Sequence, residues 1–339
     1  MKKYFSLLTV LIILAVSVLS ACHFNGRNNQ NSPSADSSRP IQIVTTIFPE
    51  YDWVKNILGS NPADAEVTLL QDNGVDLHSY QPSAEDIAKI SNCDLFIYVG
   101  GESDAWVNDA LKKAGNRNRK VINLLDVLGS TVKEEEVVEG MEPEKEEASE
   151  KEESSEKEEE PEYDEHVWLS LKKTEKLCGA IGTAMEEIDP ANKKSYVSST
   201  EKYIAQLNAL DSRYQKTVNS AKRKTVLFGD RFPFRYLTDD YGLSYYAAFV
   251  GCSAESEASF QTVSFLAKKT DQRKLPCVLT IEGKQHKIAE TIVRNTKKKN
   301  QSILSMNSMQ SVTSDDVKNG TTYLSVMEKN LSVLKQALN

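Results

Sequence analysis

The chain has 339 residues, and its 41 Lys and Arg against 49 Asp and Glu give a formal net charge of −8. This length suggests two domains of ordinary size, and the acidic balance argues against a nucleic-acid-binding protein, which would carry a basic patch. Five Cys are too few for a disulfide scaffold in a chain of this length.

The N-terminus carries the pattern of a targeting signal. Two Lys precede an apolar run at residues 7–19, which is too short to cross a bilayer as a helix and is typical of the core of a signal peptide. The Leu-Ser-Ala-Cys sequence at 19–22 resembles a bacterial lipoprotein cleavage site. We therefore expect residues 1–21 to be a signal peptide and Cys22 to carry the lipid that anchors the chain to the outer face of the cell membrane. The alternative is an ordinary secretory signal with an incidental Cys.

Residues 22–40 are rich in Asn and Ser and show no apolar periodicity, which predicts a flexible tether. No later apolar run in the sequence is long enough to span a membrane, so we expect the body to lie outside it, in a compartment that permits disulfides. Four further Cys are available there, and the two in the second half are the first candidates for a bond. The four are Cys93, Cys178, Cys252 and Cys277, and the candidate pair is Cys252 with Cys277.

From residue 41 the predicted elements alternate between strands and helices. The strands are 41–48, 66–70, 94–99 and 121–124, and the helices between them are 51–58, 83–89 and 104–114. Nearly continuous apolar strands are typical of a sheet buried on both faces, and the alternation predicts a mostly parallel sheet flanked by helices. We expect residues 41–170 to form an N-terminal α/β lobe.

The composition changes abruptly at residues 134–165. This segment contains 17 Glu and one Asp against three Lys, a net charge of −15, so the rest of the chain carries +7. Such a segment cannot bury a core, and we predict a low-complexity acidic loop over 134–162 that is disordered or at most a solvated helix. Because the rest is mildly basic, the exclusion of nucleic acid depends on the lipoprotein signal and the absence of a nucleic-acid-binding motif.

Helical patterns dominate residues 171–222, which we expect to link two lobes. Apolar and aromatic residues recur every three or four positions along 203–218, as on one face of a long helix, and Pro190 suits the first turn of that helix. Residues 223–339 repeat the strand–helix alternation and predict a C-terminal α/β lobe. Its strands are 225–228, 244–250, 277–281 and 301–304, and its helices are 234–240, 256–270, 286–295 and 321–338. The predicted fold class is α/β, with two lobes joined by one long helix.

Ligand sites in open parallel sheets lie at the carboxyl ends of the strands, so polar residues in the loops that should meet there are the candidates. They are His78, His166, Asp230, Glu282 and Asn307. Two imidazoles, two carboxylates and an amide suit a borderline divalent cation such as zinc, or manganese with more oxygen ligands. Each residue also has an ordinary interpretation, as an exposed side chain or a helix cap. No local motif such as His-Glu-x-x-His is present, so the prediction depends on the whole set.

Several segments, in order along the chain, resemble the metal-binding solute-binding lipoproteins of zinc and manganese ABC transporters. The matching segments include Asp-Leu-His-Ser-Tyr-Gln-Pro-Ser at 76–83, Asp-Glu-His-Val-Trp-Leu-Ser at 164–170, Tyr-Gly-Leu at 241–243, Glu-Ser-Glu-Ala-Ser at 255–259 and Lys-Ile-Ala-Glu-Thr at 287–291. The resemblance covers residues 41–339. It implies two lobes joined by a rigid long helix, with one metal ion in the cleft between them.

The resemblance also implies a set of ligands contributed by four loops. His78 and His166 match the first two loops, and Glu282 matches the fourth by its offset from residues 287–289. In other members a late Asp serves instead, and Asn307 lies in that region here.

The third loop departs from the family pattern. The family places a His or Glu ten residues before the Tyr-Gly-Leu element, and this chain has Arg231 there, which cannot bind a cation. Its neighbour Asp230 could serve if the loop carries an insertion. Otherwise a solvent ligand or Asn307 would complete the site.

The resemblance implies capture of a metal ion outside the cell and its delivery to an ABC permease, without catalysis, by a chain that we expect to be a monomer. Two imidazoles with two carboxylates resemble the manganese-binding members, yet zinc binds such sites more tightly than manganese. We therefore favour zinc, with manganese as the alternative. The acidic loop lies where zinc-binding members often carry a His-rich insertion. It is interpreted as a weak cation collector or as a solvated loop without a specific role.

Two other classes of function are alternatives. An extracellular metal-dependent hydrolase would need an open coordination position and a general base, for which Glu165, beside His166, is the candidate. A surface adhesin would use the metal as a structural element, although the sequence shows no separate binding module.

Overall fold

A computed structural model describes residues 39–113, 115–142, 162–253, 257–283 and 285–339. Residues 40–339 form one compact unit. The predicted signal peptide, Cys22 and most of the predicted tether lie outside the described residues. Within the described ranges, no helix combines the length and the apolar character needed to cross a bilayer.

The first half contains a four-stranded parallel sheet with the strand order β2-β1-β3-β4. Its strands are β1 (Gln42–Thr45), β2 (Glu66–Leu69), β3 (Leu95–Tyr98) and β4 (Lys120–Asn123), and its helices are α1 (Phe48–Leu58), α2 (Ala84–Asn92), α3 (Val107–Lys112) and α4 (Leu124–Leu128). Helix α1 begins three residues earlier than predicted. Pro49 occupies its first turn, and the Glu50 carboxylate accepts the backbone N–H groups of Thr46 and Ile47 at 2.8 and 3.2 Å. The start of this helix is thus capped from within its own first turn.

Two helices link the halves, α5 (Leu171–Ile188) and α6 (Lys193–Ser220). The predicted apolar face of α6 is confirmed, because its buried residues recur along 203–218. The prediction for Pro190 is wrong in detail. Pro190 begins a separate 3-10 turn, Pro190–Asn192, so the long helix starts at Lys193. A proline has no N–H to donate and suits a turn that precedes the helix.

The second half repeats the strand order of the first. Strand β5 (Thr225–Leu227) pairs with β7 (Ser244–Tyr246), β9 (Cys277–Thr280) pairs with β10 (Ser302–Ser305), and a bridge between Phe228 and Leu279 joins the two pairs. All these pairings are parallel, so the order is β7-β5-β9-β10. The flanking helices are α7 (Arg235–Tyr241), α8 (Phe260–Arg273), α9 (Lys287–Asn295), α10 (Ser314–Lys318) and α11 (Tyr323–Ala337). The predicted α/β fold class is confirmed.

One strand of the second half differs from its prediction. The expected strand 244–250 is divided into β7 and a two-residue strand, β8 (Phe249–Val250), which pairs with β6 (Arg231–Phe232). The divided strand turns the chain after Val250 toward the loop that follows the acidic segment. This change of direction determines which side chains reach the site described below.

Part of the predicted acidic loop is packed against the body. Residues 134–142 are described, Glu134 forms an antiparallel bridge with Tyr163, and Glu142 forms a parallel bridge with Phe249. Met141 is 7% exposed and belongs to the core. The prediction of a solvated segment from residue 134 onward is therefore wrong for this part, because apolar side chains among the glutamates give it a buried side. Residues 143–161 lie outside the described residues.

The four Cys of the body are buried, and Cys252 and Cys277 are free thiols. Cys252 follows β8, and Cys277 opens β9. The suggested disulfide between Cys252 and Cys277 therefore does not form in this structure. Both thiols are therefore free to bind another partner.

Candidate metal centre

His78 lies in a short 3-10 helix, Leu77–Ser79, in the loop that follows β2. The Asp76 carboxylate caps this turn by accepting the backbone N–H of His78 at 3.1 Å, and the buried Leu77 side chain anchors it in the core. The ring Nδ1 lies 2.7 Å from Ser103 Oγ. Backbone and ring are thus both fixed by local partners.

His166 is fully buried and directly precedes a second 3-10 helix, Val167–Leu169. A single oxygen, Asp164 Oδ1, accepts both the backbone N–H and the ring Nδ1–H of His166 at 2.9 Å. Gly251 packs on the ring, and a Cβ atom at that position would lie 2.8 Å from Cε1 of His166. Only glycine allows this approach of the backbone without a shift.

The two imidazoles face each other through their Nε2 atoms, which are 3.3 Å apart. The carboxylate at Nδ1 of His166 can only accept, which assigns the proton there to the ring and leaves a lone pair on Nε2. The Gln310 amide nitrogen lies 2.9 Å from Nε2 of His166 and 3.2 Å from Nε2 of His78. Its two N–H groups can serve both lone pairs, which assigns the same tautomer to His78. We call the space between these two nitrogens the Nε2 gap.

The dimensions of the Nε2 gap match a metal ion. Two nitrogens bound to a tetrahedral zinc ion at its usual bond length are about 3.3 Å apart, which is the spacing observed here. Burial and the neighbouring imidazole lower the pKa of His78 well below its ordinary value. The ring is therefore neutral near pH 7, as metal coordination requires.

Glu165 lies on the other side of His78. Its Oε2 atom is 3.7 Å from Nδ1 of His78 and, although buried, has no hydrogen-bond partner. Its Oε1 atom accepts the backbone N–H of Ser103 at 3.0 Å. Burial raises the pKa of this carboxyl group. The carboxylate thus faces the ring edge opposite the Nε2 gap, where a base acting on metal-bound water would not be placed.

Glu282 follows β9 and is hydrogen-bonded to Gln310, the residue whose amide lies at the Nε2 gap. Its carboxylate accepts from the backbone N–H and hydroxyl of Ser308 at 2.6 and 2.8 Å and from the backbone N–H of Gln310 at 3.3 Å. Glu282 therefore holds the loop that carries Gln310. In this structure it contacts neither imidazole through a described hydrogen bond.

Asp230 and Asn307 are engaged in their own loops. The Asp230 carboxylate accepts the backbone N–H of Arg231 at 2.9 Å and that of Ile281 at 3.4 Å. Asn307 Oδ1 accepts the backbone N–H of Met309 at 2.7 Å. The structure thus brings the two predicted imidazoles together and leaves the three predicted oxygen donors outside the Nε2 gap.

Arg231, at the position where the resemblance expects a third ligand, forms an ion pair with Asp76. The same Asp76 carboxylate caps the turn that carries His78. The guanidinium group therefore supports the His78 loop from the second half of the molecule instead of binding a cation.

Sequence reasoning missed Cys252 and Gln310. His78, His166 and Cys252 each place one potential ligand atom within 4.8 Å of the other two. In the described part of the chain, this is the group of at least three His, Cys, Asp or Glu side chains that is compact enough to hold a metal ion. Burial and the carboxyl groups around it, Glu135 first, raise the pKa of the Cys252 thiol. Arg231 stands at the position where the resemblance expects a third ligand, so that ligand is missing from the sequence pattern. This absence, together with a Cys just after the predicted strand 244–250, is a signal that could have identified Cys252. No sequence pattern distinguishes Gln310.

Comparison with known proteins places this geometry in context. A family model described as "Zinc-uptake complex component A periplasmic" matches residues 43–337. The zinc-binding lipoprotein AdcA of Streptococcus pneumoniae is 32% identical over 337 residues, which are 99% of this chain and 61% of AdcA. The chain therefore spans less than two thirds of the length of that relative. The high-affinity zinc uptake system protein ZnuA of Bacillus subtilis is 30% identical over 312 residues, 92% of each chain.

A solved structure gives the same relationship at the level of the fold. The crystal structure of the Zn(II)-bound ZnuA-like domain of Streptococcus pneumoniae AdcA aligns with a TM-score of 0.67 and 28% sequence identity. The alignment covers 88% of this chain and 99% of that domain.

Proposed function

The chain belongs to the family of periplasmic zinc-uptake complex component A proteins, and from this premise we propose that it captures zinc outside the cell membrane and delivers it to an ABC permease. The observation that carries the proposal is the pair of imidazole Nε2 atoms 3.3 Å apart, each assigned a lone pair by the oxygen partner at its Nδ1. Two such lone pairs repel each other unless a donor or a cation lies between them. Gln310 supplies the donor in this structure, and we propose that zinc replaces it.

We propose that His78 and His166 are the nitrogen ligands. Zinc entry then requires the Gln310 amide to leave the Nε2 gap. Its Oε1 atom accepts from Ser308 Oγ at 3.1 Å, and both residues contact Glu282. The same movement would free the Glu282 carboxylate to approach the ion. Asp230 and Asn307 remain the predicted alternative oxygen donors.

Zinc is favoured over manganese by the donors at the Nε2 gap. Imidazole nitrogen suits zinc, whereas manganese prefers a shell dominated by carboxylate, carbonyl and water oxygens. The carboxylate on Nδ1 of His166 orients the ring and increases its basicity, an arrangement common around protein-bound zinc. Manganese stays the alternative cargo, and a direct competition between the two ions decides between them.

The remaining parts of the proposal concern location and partners. We propose that lipid on Cys22 anchors the chain to the outer face of the cell membrane and that it acts as a monomer alongside the permease. No reaction is proposed, because Glu165, the candidate base of a hydrolase, faces the opposite edge of His78. No observation on the described residues favours an adhesin.

The test is a zinc titration of the chain from residue 23 onward, prepared metal-free. We expect one zinc per chain. Loss of a buried partner behind a ligand costs about 10–100-fold in metal affinity, so His78→Ala and His166→Ala, which remove ligands outright, should each cost at least that much. A competition with manganese in the same assay should favour zinc.

His286→Ala is the matched control, because it removes an imidazole that lies outside the compact group. It should bind zinc as the unmodified chain does. Substoichiometric binding by the unmodified chain, or unchanged affinity after His78→Ala, would contradict the proposal. Stronger binding of manganese would change the cargo and leave the rest intact.

A further inference from the structure

We propose that Cys252 is the third protein ligand of the zinc ion, so that the site contains two imidazole nitrogens and one thiolate sulfur. This inference rests on the proposed function, since it assumes that zinc binds at the Nε2 gap. It assigns to Cys252 the role that Arg231 cannot fill.

The geometry brings together three segments that are distant in sequence. His78 and His166 are 88 residues apart, and Cys252 comes from the loop after β8, yet their ligand atoms lie within 4.8 Å of one another. Cys252 is 9% exposed and His166 is fully buried. Zinc bonds of about 2.0–2.1 Å to nitrogen and 2.3 Å to sulfur place these two atoms about 3.5 Å apart in a tetrahedral site, so side-chain movements of up to about 1 Å complete the site.

Contacts on two sides hold the backbone at Cys252 close to His166. On one side, Gly251 packs directly on the His166 ring. On the other, the Cys252 backbone N–H donates to Glu135 Oε1 at 3.3 Å. Glu135 belongs to the packed part of the acidic segment. The backbone at 251–252 is therefore held between the His166 imidazole and the Glu135 carboxylate. The thiol also hydrogen-bonds to that carboxylate, and zinc binding would exchange this hydrogen bond for a zinc–sulfur bond.

The competing ligands are occupied elsewhere. The Arg231 guanidinium is paired with Asp76. The Asp230 carboxylate accepts two backbone N–H groups, those of Arg231 and Ile281. Zinc sites in proteins use at least three protein ligands, and two imidazoles alone would leave the site short. Within the part of the chain that the structure describes, Cys252 is the residue that forms a compact group of potential ligands with both imidazoles.

Coordination changes the chemistry of the thiol. The zinc–sulfur bond forms as the S–H bond breaks, the electron pair stays on sulfur, and the proton passes to solvent buffer; nothing is oxidised or reduced. Thiolate is a soft ligand that selects zinc over manganese. We therefore expect Cys252 to raise the preference of the site for zinc.

The decisive measurement is X-ray absorption at the zinc edge on the chain from residue 23, which omits the expected signal peptide and Cys22, loaded with one equivalent of zinc. We expect one sulfur at about 2.3 Å and nitrogen or oxygen at about 2.0 Å. Cobalt(II) in place of zinc should show the sulfur-to-cobalt charge-transfer band of a thiolate ligand. Both readouts use the unmodified chain, so they hold even if a variant fails to fold.

Variants then assign the sulfur. Cys252→Ser should abolish the charge-transfer band and weaken zinc binding at least tenfold, with a smaller loss for manganese. Cys277→Ser, a buried Cys in the same half, should retain the band and the affinity. Asp230→Asn tests the competing ligand, and it should retain the charge-transfer band and lose less zinc affinity than Cys252→Ser.

The outcomes separate this inference from the proposed function. If one zinc binds per chain, depends on His78, and is surrounded only by nitrogen and oxygen, the inference is overturned and the proposed function stands. Loss of affinity in Asp230→Asn together with full affinity in Cys252→Ser also overturns it. If the unmodified chain binds no zinc, both fail.

Discussion

The two halves of the molecule share one strand order, yet the loops at the carboxyl ends of their sheets present different chemistry. In the first half, each imidazole has an oxygen partner at Nδ1 and a lone pair at Nε2. In the second half, the candidate oxygen ligands accept backbone N–H groups, Asp230 that of Arg231 and Glu282 that of Ser308. The nitrogen donors are therefore preset for a cation, whereas the second half must exchange hydrogen bonds before it contributes an oxygen ligand.

The largest loss of stability should follow from disturbing one contact between the two halves, the packing of Gly251 on His166. In Gly251→Ala the new Cβ would lie 2.8 Å from the ring and 3.1 Å from the backbone oxygen of Phe232. Such overpacking lowers the free energy of unfolding by about 1–3 kcal/mol. The His166 ring must shift to make room, which should also weaken zinc binding. Denaturant unfolding and zinc titration measure the two losses.

Gly179→Ala is the control for that substitution. Gly179 lies inside α5, and a Cβ there meets nothing within 4 Å. Replacement by alanine in a helix interior should stabilise the protein by about 0.5–1 kcal/mol. Equal effects of the two substitutions would mean that the contact at His166 does not constrain the site.

Asp164→Asn tests whether the first half is preset by its hydrogen bonds. The carboxylate accepts both N–H groups of His166, and its loss should reduce zinc affinity by about 10–100-fold, as for other partners that orient metal ligands. Asp109→Asn removes an exposed carboxylate that pairs with Lys112 and should bind zinc normally. Unchanged affinity in Asp164→Asn would show that packing alone orients the ring.

Much of the fold was predictable because its signals are local. The strands of the first sheet are apolar runs, and the α/β alternation follows from them. The failures have local causes too. A two-residue strand such as β8 has no periodicity to detect, and Met141, an apolar residue among glutamates, was outweighed by the composition of its segment.

The site was predictable only in part. His78 lies in a short 3-10 helix and His166 precedes one, and the Asp two residues before each His accepts its backbone N–H. Cys252 reaches the same place through a divided strand and a glycine that packs on a ring from another segment. That juxtaposition is a property of the tertiary structure, so residue spacing alone could not reveal it.

The pH dependence of stability tests the environment of His78, because it compares the protonation of this residue in the folded and the unfolded chain. Burial and His166 lower the pKa of His78 in the folded chain. Below the ordinary histidine pKa of about 6.5, His78 therefore binds a proton in the unfolded chain while it stays neutral in the folded one. The free energy of unfolding of the metal-free protein should therefore fall on acidification from pH 7 to 5. One such group contributes up to about 1.4 kcal/mol per pH unit.

His78→Gln isolates this contribution. The variant should lose less stability than the unmodified chain over the same pH range, since it has no imidazole at that position to protonate on unfolding. Groups that do not interact with His78 titrate equally in both proteins and cancel in the difference. Parallel stability curves for the two proteins would contradict the burial effect assigned to His78.

The smallest effect should come from the ion pair that crosses between the halves. Arg231 and Asp76 are each about one-fifth exposed, so Arg231→Gln should cost about 1 kcal/mol of unfolding free energy, the upper end for pairs near a surface. The exposed pair of Arg213 with Glu328 is the matched control, and Arg213→Gln should cost less than about 0.5 kcal/mol. Denaturant unfolding at low and high salt measures both, and salt should reduce the control more because exposed charges are screened more strongly. Equal losses would mean that Arg231 adds no more than a surface charge, and the His78 loop would then be held by its own half alone.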